Sequence, residues 1–171
     1  ALNPPPPGSL GRAPKPEKRP VAPLPSGSFD IEVSLRRIEP RIWRRFLIRS
    51  SETFLDLHEA IQDAGGWQNC HLFAFRDAKT GEPIAALPTD DDPEETPFAG
   101  DVRLDEIFSA AAPGSILYEY DFGDSWEVDV RCHGHVPDPD PPQRRLTGGA
   151  RAFPPDDCGG VPGYEECLEA V

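Results

Sequence analysis

The chain has 171 residues, of which 30 are acidic and 17 are lysine or arginine, and its formal net charge is −13. This length suits one compact domain, and no apolar run approaches the length of a membrane span. The acidic balance disfavours general nucleic-acid binding because phosphates are repelled. We therefore expect a protein partner, with DNA possible but disfavoured and with no membrane association.

The first segment, residues 1–28, is rich in proline. Its stretch "ALNPPPPGSLGRAPKPEKRPVAPLPSG" holds 9 of the 22 prolines, and four basic side chains against one acid give it a charge of +3. The total of −13 leaves −16 for the rest of the chain. Proline fixes φ and removes a backbone donor, so we expect a disordered tail or linker.

Two strands are predicted next. The stretch "FDIEVSLRRI", which begins at Phe29, alternates apolar and polar residues as a half-buried strand does. Pro40 favours a turn. The stretch "RIWRRFLIRS" then places Ile42, Phe46 and Ile48 on one face and its arginines on or near the other. We predict a hairpin.

A main helix is predicted at about 53–64, within "SSETFLDLHEAIQDAGGW". Ser50, Ser51 and Thr53 are candidate N-caps, and Gly65-Gly66 ends the helix. One stripe of this helix is apolar and would face the core; it consists of Phe54, Leu57, Ile61 and Ala64.

Shorter elements fill the second half. "HLFAFRDA" predicts a strand, "LPTDDDPEETPFAGD" a mobile acidic loop, and "DVRLDEIFSAA" a short helix. "SILYEYDF" and "WEVDVRCHG" form the best hairpin candidate, joined across Gly123-Asp124-Ser125. A turn-rich stretch, "VPDPDPPQRRLTGGARAFPPDDCGGVPG", leads into a helix that starts at "YEECLEAV". The prediction is a single α+β domain at 29–171, with a mostly antiparallel sheet packed by one main helix and shorter helices.

The letters Asp121-Phe122-Gly123 match a magnesium-binding motif of protein kinases, but the chain lacks the partners of that motif. It has three lysines and no G-x-G-x-x-G loop to hold a triphosphate. Glycine takes positive φ readily and Asp124 can bond the backbone, so a tight turn between strands is the simpler interpretation.

The densest polar group combines the acids of this turn with those of a later one: Asp121, Asp124, Glu127, Asp156 and Asp157. Such carboxylates could hold magnesium or calcium, or perform acid–base work. Acids beside glycine and proline are also ordinary components of turns, which is the favoured interpretation. Trp126, just beyond the turn, could fix this surface by packing across the hairpin or could simply belong to the core.

A zinc site is the third possibility, because "CHGH" supplies Cys132, His133 and His135, and Cys158 could complete a set of four. Neighbours on a strand point to opposite faces and the spacing matches no standard finger, so this site is disfavoured. His58 and His71 are interpreted as packed or hydrogen-bonded histidines. The four scattered cysteines, without CxxC spacing, indicate a reduced, cytoplasmic setting.

Six arginines between Arg36 and Arg49 form the dense basic patch of the folded part. Interleaved with Trp43 and Phe46, they could contact phosphates or stack on bases. Pairing with the acids at 30, 32, 39 and 52 is favoured in so acidic a body.

Five segments occur in order from about Phe29 to the chain end: "IEPRIWRRFLI", "LDLHEAIQDAGGW", "HLFAF", "YEYDFGDSWE" and "PPDDCGGVPGYEECLE". Together they resemble the plasmid pRiA4b ORF-3-like family. The resemblance implies a bacterial or archaeal α+β domain that is linked with plasmids and transposons and has no settled activity. The family pattern continues past residue 171, so we expect the closing helix to be truncated.

The chain departs from that family pattern at its histidines and cysteines. The family often carries these residues at positions that are here apolar: Val128, Phe73, Leu146 and Phe153. His71 and Cys158 are kept. The departures imply that no metal is bound in the family's manner and that no cofactor is needed.

We therefore predict a non-catalytic binding module of plasmid or transposon origin with an unidentified protein partner. One contact surface is assigned to Arg41, Trp43 and Arg44. The other is assigned to Asp121, Asp124, Trp126, Asp157 and Cys158. The alternative is a metal-dependent hydrolase or nuclease that uses Asp121, Asp124, Asp156 and Asp157. A weaker alternative is a DNA-binding accessory protein that uses the Arg36–Arg49 strands.

Overall fold

The structure, a computed structural model, describes residues 24–89, 96–108 and 114–170. The predictions for the proline-rich tail before residue 24, the centre of the acidic loop and the end of the short helix lie outside these residues. The strands are β1 (Gly27–Leu35), β2 (Trp43–Arg49), β3 (Phe73–Asp77), β4 (Pro83–Ala86), β5 (Ser115–Tyr120), β6 (Trp126–Pro137) and β7 (Arg144–Ala150). The helices are α1 (Phe54–Gly65), α2 (Leu104–Ile107) and α3 (Gly160–Glu169).

The strands form one seven-stranded sheet in the order β4-β3-β5-β6-β1-β2-β7. Every neighbouring pair is antiparallel. The predicted α+β class with a mostly antiparallel sheet is therefore confirmed. The first strand lies inside the sheet, between β6 and β2, although those partners are far apart in the chain.

The alternation along β1 separates two faces of the sheet. Ile31 and Val33 are fully buried, whereas Glu32 and Ser34, which point the other way, are half-buried. The buried face packs against Leu57 and other apolar residues of α1 in one continuous core. We call the opposite, charged face the open face.

Helix α1 begins and ends as its sequence predicts. Of the three candidate N-caps the structure uses Thr53, which forms a capping box: Thr53 Oγ1 accepts from the Asp56 amide while Asp56 Oδ2 accepts from the Thr53 amide. At the other end Gly66 takes the left-handed conformation, φ 76°, and its amide donates to the Gln62 carbonyl.

Two edge strands were not predicted. β4 opens with Pro83, as edge strands tolerate. β7 lies within the stretch interpreted as turns, and its pairing with β2 depends on two glycines. A Cβ on Gly148 would come within 3.3 Å of the Trp43 ring, and one on Gly149 within 2.8 Å of Arg44 Cδ. Because most β7 residues are exposed, the strand lacks the apolar alternation that reveals a strand in a sequence.

Candidate functional site

The two acidic turns predicted from the sequence lie side by side. The first joins β5 to β6, and the second precedes α3. Asp124 Oδ2 accepts a 3.0 Å hydrogen bond from the Gly159 amide. Gly160, at φ 66°, lies so close that a Cβ there would be 2.5 Å from the Asp124 carbonyl oxygen. We call the carboxylates of Asp121, Asp124, Asp156 and Asp157 the acidic corner.

Within the first turn Asp121 acts as a turn residue. Its Oδ1 accepts from the amides of Gly123, at 3.0 Å, and Asp124, at 3.3 Å. Its carbonyl accepts from the Ser125 amide at 2.6 Å. Asp121 and Ser125 both have φ 54°, a left-handed conformation that is unusual for residues other than glycine. The geometry agrees with the interpretation of this motif as a tight turn.

The remaining acids come from the second turn. Asp156 Oδ2 accepts a 2.5 Å bond from the Gln68 amide, while its Oδ1 is buried without a hydrogen-bond partner. Asp157, at φ 55°, has a side chain that is 70% exposed. Three of the four carboxylates are thus bonded to backbone amides, and within the described residues no arginine or lysine forms an ion pair with any of the four.

A third segment completes the corner, and sequence reasoning left it out of the site. His71 Nε2 lies 3.1 Å from Asp157 Oδ1 and 3.6 Å from Asp121 Oδ2. Potential metal-donor atoms of Cys70, His71 and Asp157 all lie within 4.8 Å of one another. The adjacent Cys-His pair was the available signal in the sequence, but it indicates a site only once the fold brings Asp157 to it.

Helix α1 fixes this third segment from beneath. The Asn69 amide donates to Gln62 Oε1 at 2.9 Å, and Asn69 Oδ1 lies 2.6 Å from His58 Nε2. His58 Nδ1 in turn lies 2.8 Å from the Tyr118 hydroxyl. Burial lowers the pKa of His58 from 6.5 to about 4, so the ring is neutral near pH 7. The expectation of a packed, hydrogen-bonded histidine agrees with this geometry.

Trp126 belongs to the core rather than to the exposed part of the corner. Its side chain is 1% exposed and its ring centroid lies 6.0 Å from that of Trp67. Of the two roles considered for Trp126, this geometry agrees with membership of the core, so its ring is not available as part of a contact surface. Cys158 is half-buried, and burial, followed by the nearby Asp124 carboxylate, raises the pKa of its thiol.

The residues assigned to the arginine surface lie on opposite faces of β2. The Arg41 guanidinium pairs with Glu32 and stands over the Trp43 ring on the open face. Arg44 faces α1, where it donates to the carbonyls of Ala64, at 2.8 Å, and Arg151, at 2.7 Å. A single surface made of all three side chains does not form, because residues 43 and 44 alternate along the strand.

The other arginines of this stretch also have partners. Arg45 forms a bidentate pair with Asp30, at 2.8 and 2.6 Å. Arg36 bonds Asp129, and Arg37 lies 3.8 Å from Glu127. Arg49 donates to the Pro141 carbonyl. This arrangement agrees with the favoured expectation that the basic patch is neutralised locally.

The disfavoured zinc set does not assemble among the described residues. Cys132 is buried and burial raises the pKa of its thiol to about 11. His133 faces Glu32 at 3.6 Å, while the ring of His135 packs edge-on against Phe29. Cys158 lies at the acidic corner, and that corner adjoins the other end of β6.

A sequence profile for the plasmid pRiA4b ORF-3-like proteins matches residues 27–171. The chain belongs to this family. It is 32% identical over 141 residues to the uncharacterized protein y4hQ of Sinorhizobium fredii (strain NBRC 101917 / NGR234), a match that covers 82% of this chain and 71% of that relative. Its fold is similar to the crystal structure of a protein of unknown function, MM3350, from Methanosarcina mazei Go1.

That structural match has a TM-score of 0.74 and 35% sequence identity, and it covers 85% of this chain and 82% of the other. The apolar residues at which this chain departs from the family pattern have different locations. Val128, Phe73 and Phe153 are buried in the core, whereas Leu146 is exposed on β7. None of the helices in the described part of the chain combines the length and apolar character needed to cross a bilayer.

Proposed function

We propose that this family member is a non-catalytic binding module whose acidic corner binds a cationic segment of a protein partner. The observation that carries the proposal is that two turns with four carboxylates lie side by side and that no arginine or lysine forms an ion pair with these carboxylates within the described residues. The chain outside the proline-rich tail carries −16, which adds long-range attraction for a positively charged partner.

The corner also offers apolar contacts beside its charges. Phe122, at the tip of the first turn, is 49% exposed, and Leu72, whose carbonyl accepts from the Asp121 amide, is 42% exposed. A segment that places a lysine or arginine next to an apolar side chain fits this combination. The open face around Arg41 and Trp43 is the second proposed contact surface, and Arg44 is left out because it faces α1.

Hydrolysis has less support than binding because the carboxylates do not point at a common centre. Asp124 Oδ2 is directed at the Gly159 amide and Asp156 Oδ2 at the Gln68 amide. A hydrolase or nuclease built on all four acids would direct their free oxygens toward one metal. Hydrogen bonds from amides instead hold ionised carboxylates in fixed positions, which suits recognition of a cation.

DNA binding through the arginines is also less well supported. Their guanidinium groups are occupied by Glu32, Asp30, Asp129 and backbone carbonyls. A phosphate would have to displace these partners and overcome the repulsion of an acidic body. We also propose an origin in a plasmid or transposon, which the plasmid in the family name supports. Inverted repeats flanking the gene would test this origin.

The binding proposal is tested by fluorescence anisotropy with a labelled peptide that alternates arginine with leucine, in low salt and with a chelator present. The double variant D124N/D157N removes two charges from the corner. The matched control E82Q/D140N removes two from exposed acids at the opposite end of the strands. We expect about threefold to tenfold weaker binding for the corner variant, since each exposed pair contributes roughly 0.2–1 kcal/mol, and less than about twofold for the control.

Equal losses in the two variants would mean that net charge alone attracts the peptide, and the proposal would fail. Tighter binding of a duplex DNA of the same length than of the peptide would favour the arginine strands instead. The second surface is tested with R41A and W43A. These variants should bind less tightly to a partner that spans both surfaces.

A further inference from the structure

We infer that Cys70, His71, Asp157 and Asp121 form a binding site for a single zinc ion. The four residues come from three separate parts of the chain and meet where the segment after α1 crosses the two acidic turns. Their donor set is one sulfur, one imidazole nitrogen and two carboxylate oxygens. This inference does not depend on the proposed binding of a cationic segment, but zinc and that segment would compete for Asp121 and Asp157.

The two distances from His71 to the carboxylates suit a tetrahedral ion. Ligand bonds of roughly 2.0–2.3 Å to zinc place neighbouring donor atoms about 3.3–3.7 Å apart. His71 Nε2 lies 3.6 Å from Asp121 Oδ2 and 3.1 Å from Asp157 Oδ1. The Cys70 sulfur is within 4.8 Å of the donors of His71 and Asp157. Cys70 and Asp157 are exposed, so a rotation of their side chains can close the remaining gap.

His71 provides an independent sign that a ligand belongs here. Its Nε2 is closed off from solvent and makes no hydrogen bond, because Asp157 Oδ1 is near it without hydrogen-bond geometry. Buried polar atoms in folded proteins nearly always have a partner. A metal ion placed between this nitrogen and the two carboxylates would be coordinated by the lone pair of the nitrogen.

The residues around the donors hold them in place, as outer groups do in metal sites. The two amide bonds to Asp121 Oδ1 leave Oδ2 to face His71. Tyr120 accepts from the Cys70 amide at 3.3 Å, and its ring packs edge-on against the His71 ring with centroids 5.6 Å apart. Asn69, anchored to α1, fixes the chain just before the cysteine.

The donor types select the metal. A thiolate and an imidazole favour zinc and related transition metals, whereas magnesium and calcium require oxygen donors throughout. Asp121 lies outside the group of donor atoms that are mutually within 4.8 Å, so it becomes the fourth ligand of a closed, structural site only when the side chains of Cys70 and Asp157 rotate toward it. Of the two residues kept from the family pattern, His71 is a donor and Cys158 is not, so this set shares one residue with that pattern.

The site is tested on the full chain after treatment with a chelator. Zinc is titrated in competition with a chromophoric chelator, and cobalt(II) is added separately to record thiolate-to-cobalt absorption. We expect one equivalent of zinc, at least about tenfold weaker binding in C70A and H71A, and loss of the thiolate band in C70A. The controls C167A and H133A replace another exposed cysteine and another histidine and are expected to bind as the parent does.

No binding, equal binding in all variants, or a loss in C167A would overturn the inference. A second measurement needs no variant: zinc protects Cys70 from alkylation while Cys167 reacts at an unchanged rate, and a chelator reverses the protection. Equal alkylation of Cys70 with and without zinc would also overturn it. Since the peptide assay contains chelator, failure of the zinc site and failure of the proposed function are distinguishable.

Discussion

Within the described residues, the arginine stretch and the acidic corner are two regions of concentrated charge, and they differ in how that charge is compensated. On β2 and its flanks, guanidinium groups form ion pairs or hydrogen bonds with carboxylates or carbonyls of neighbouring segments, as in the ion pair between Arg45 and Asp30. In the corner, carboxylates accept hydrogen bonds from backbone amides, and Arg37 donates to the carbonyl of Ser125 in the first turn rather than to a carboxylate of the corner. Charge density in a sequence therefore indicates a binding surface only where the fold leaves that charge without a counterion.

The largest loss of stability is expected for a variant that pushes the two turns of the corner apart. In G160A the new Cβ meets the Asp124 carbonyl oxygen at 2.5 Å in addition to the strain of a left-handed residue, φ 66°. We expect a loss of about 3 kcal/mol in the free energy of unfolding, measured by chemical denaturation. G81A is the matched control, because Gly81 has φ 74° with open space around it, and it should lose only about 1 kcal/mol. Equal losses would show that the contact between the turns is unimportant.

The next effect concerns the support of the corner by α1 and depends on pH. His58 has a pKa of about 4 in the folded protein against 6.5 as its ordinary value. Folding thus favours the neutral form of the ring. The stability that this neutral ring contributes is fully present above pH 6.5 and is lost as the pH falls toward 4. Each pH unit in that window costs up to about 1.4 kcal/mol, which gives a loss of about 1.5 kcal/mol between pH 6.5 and 5.

Urea denaturation at several pH values checks this prediction. H58Q removes the titrating group, so its stability should fall less steeply with decreasing pH than that of the parent. H133Q removes a partly exposed histidine of the open face and should keep the parental slope. A parental slope that persists in H58Q would place the pH sensitivity elsewhere.

The smallest effect compares two arginines of the same stretch. Arg44 donates to carbonyls of α1 and of the segment after β7, and burial lowers its pKa, whereas Arg41 holds an exposed pair with Glu32. R44M keeps the aliphatic stem but leaves those carbonyls without a donor, which should cost about 1.5 kcal/mol. R41M should cost less than about 0.5 kcal/mol. Denaturation midpoints of the two variants decide whether only one face of β2 is structural.

The elements that bury an apolar face could be predicted from the sequence. The alternation of β1 and the stripe of α1 around Leu57 have the periods of a strand and a helix. Helix α1 forms within one residue of its predicted bounds, and β1 begins two residues before the predicted stretch and ends three residues before the end of that stretch. The adjacency of the acidic turns was expected because glycines stand beside the acids in both. In these regions the local pattern and the tertiary contacts agree.

The remainder could not be predicted because it depends on contacts between distant residues. β7 is recognisable only through its pairing with β2, since glycines and exposed arginines hide its period. The third segment of the corner, at His71, needs the fold to bring it to Asp121 and Asp157. The placement of Trp43 and Arg44 on opposite faces of β2, in contrast, could have been predicted, because neighbouring residues of a strand alternate between faces.

The position of β1 within the sheet has a consequence for synthesis of the chain. Its first residue, Gly27, pairs with Pro137, so about a hundred residues must leave the ribosome before this strand gains its second neighbour. Until then an apolar strand is paired on one edge alone, and such unfinished edges are sites of aggregation. With so many distant pairings the domain is expected to fold slowly, and a nascent chain halted before β6 should depend on chaperones for its solubility.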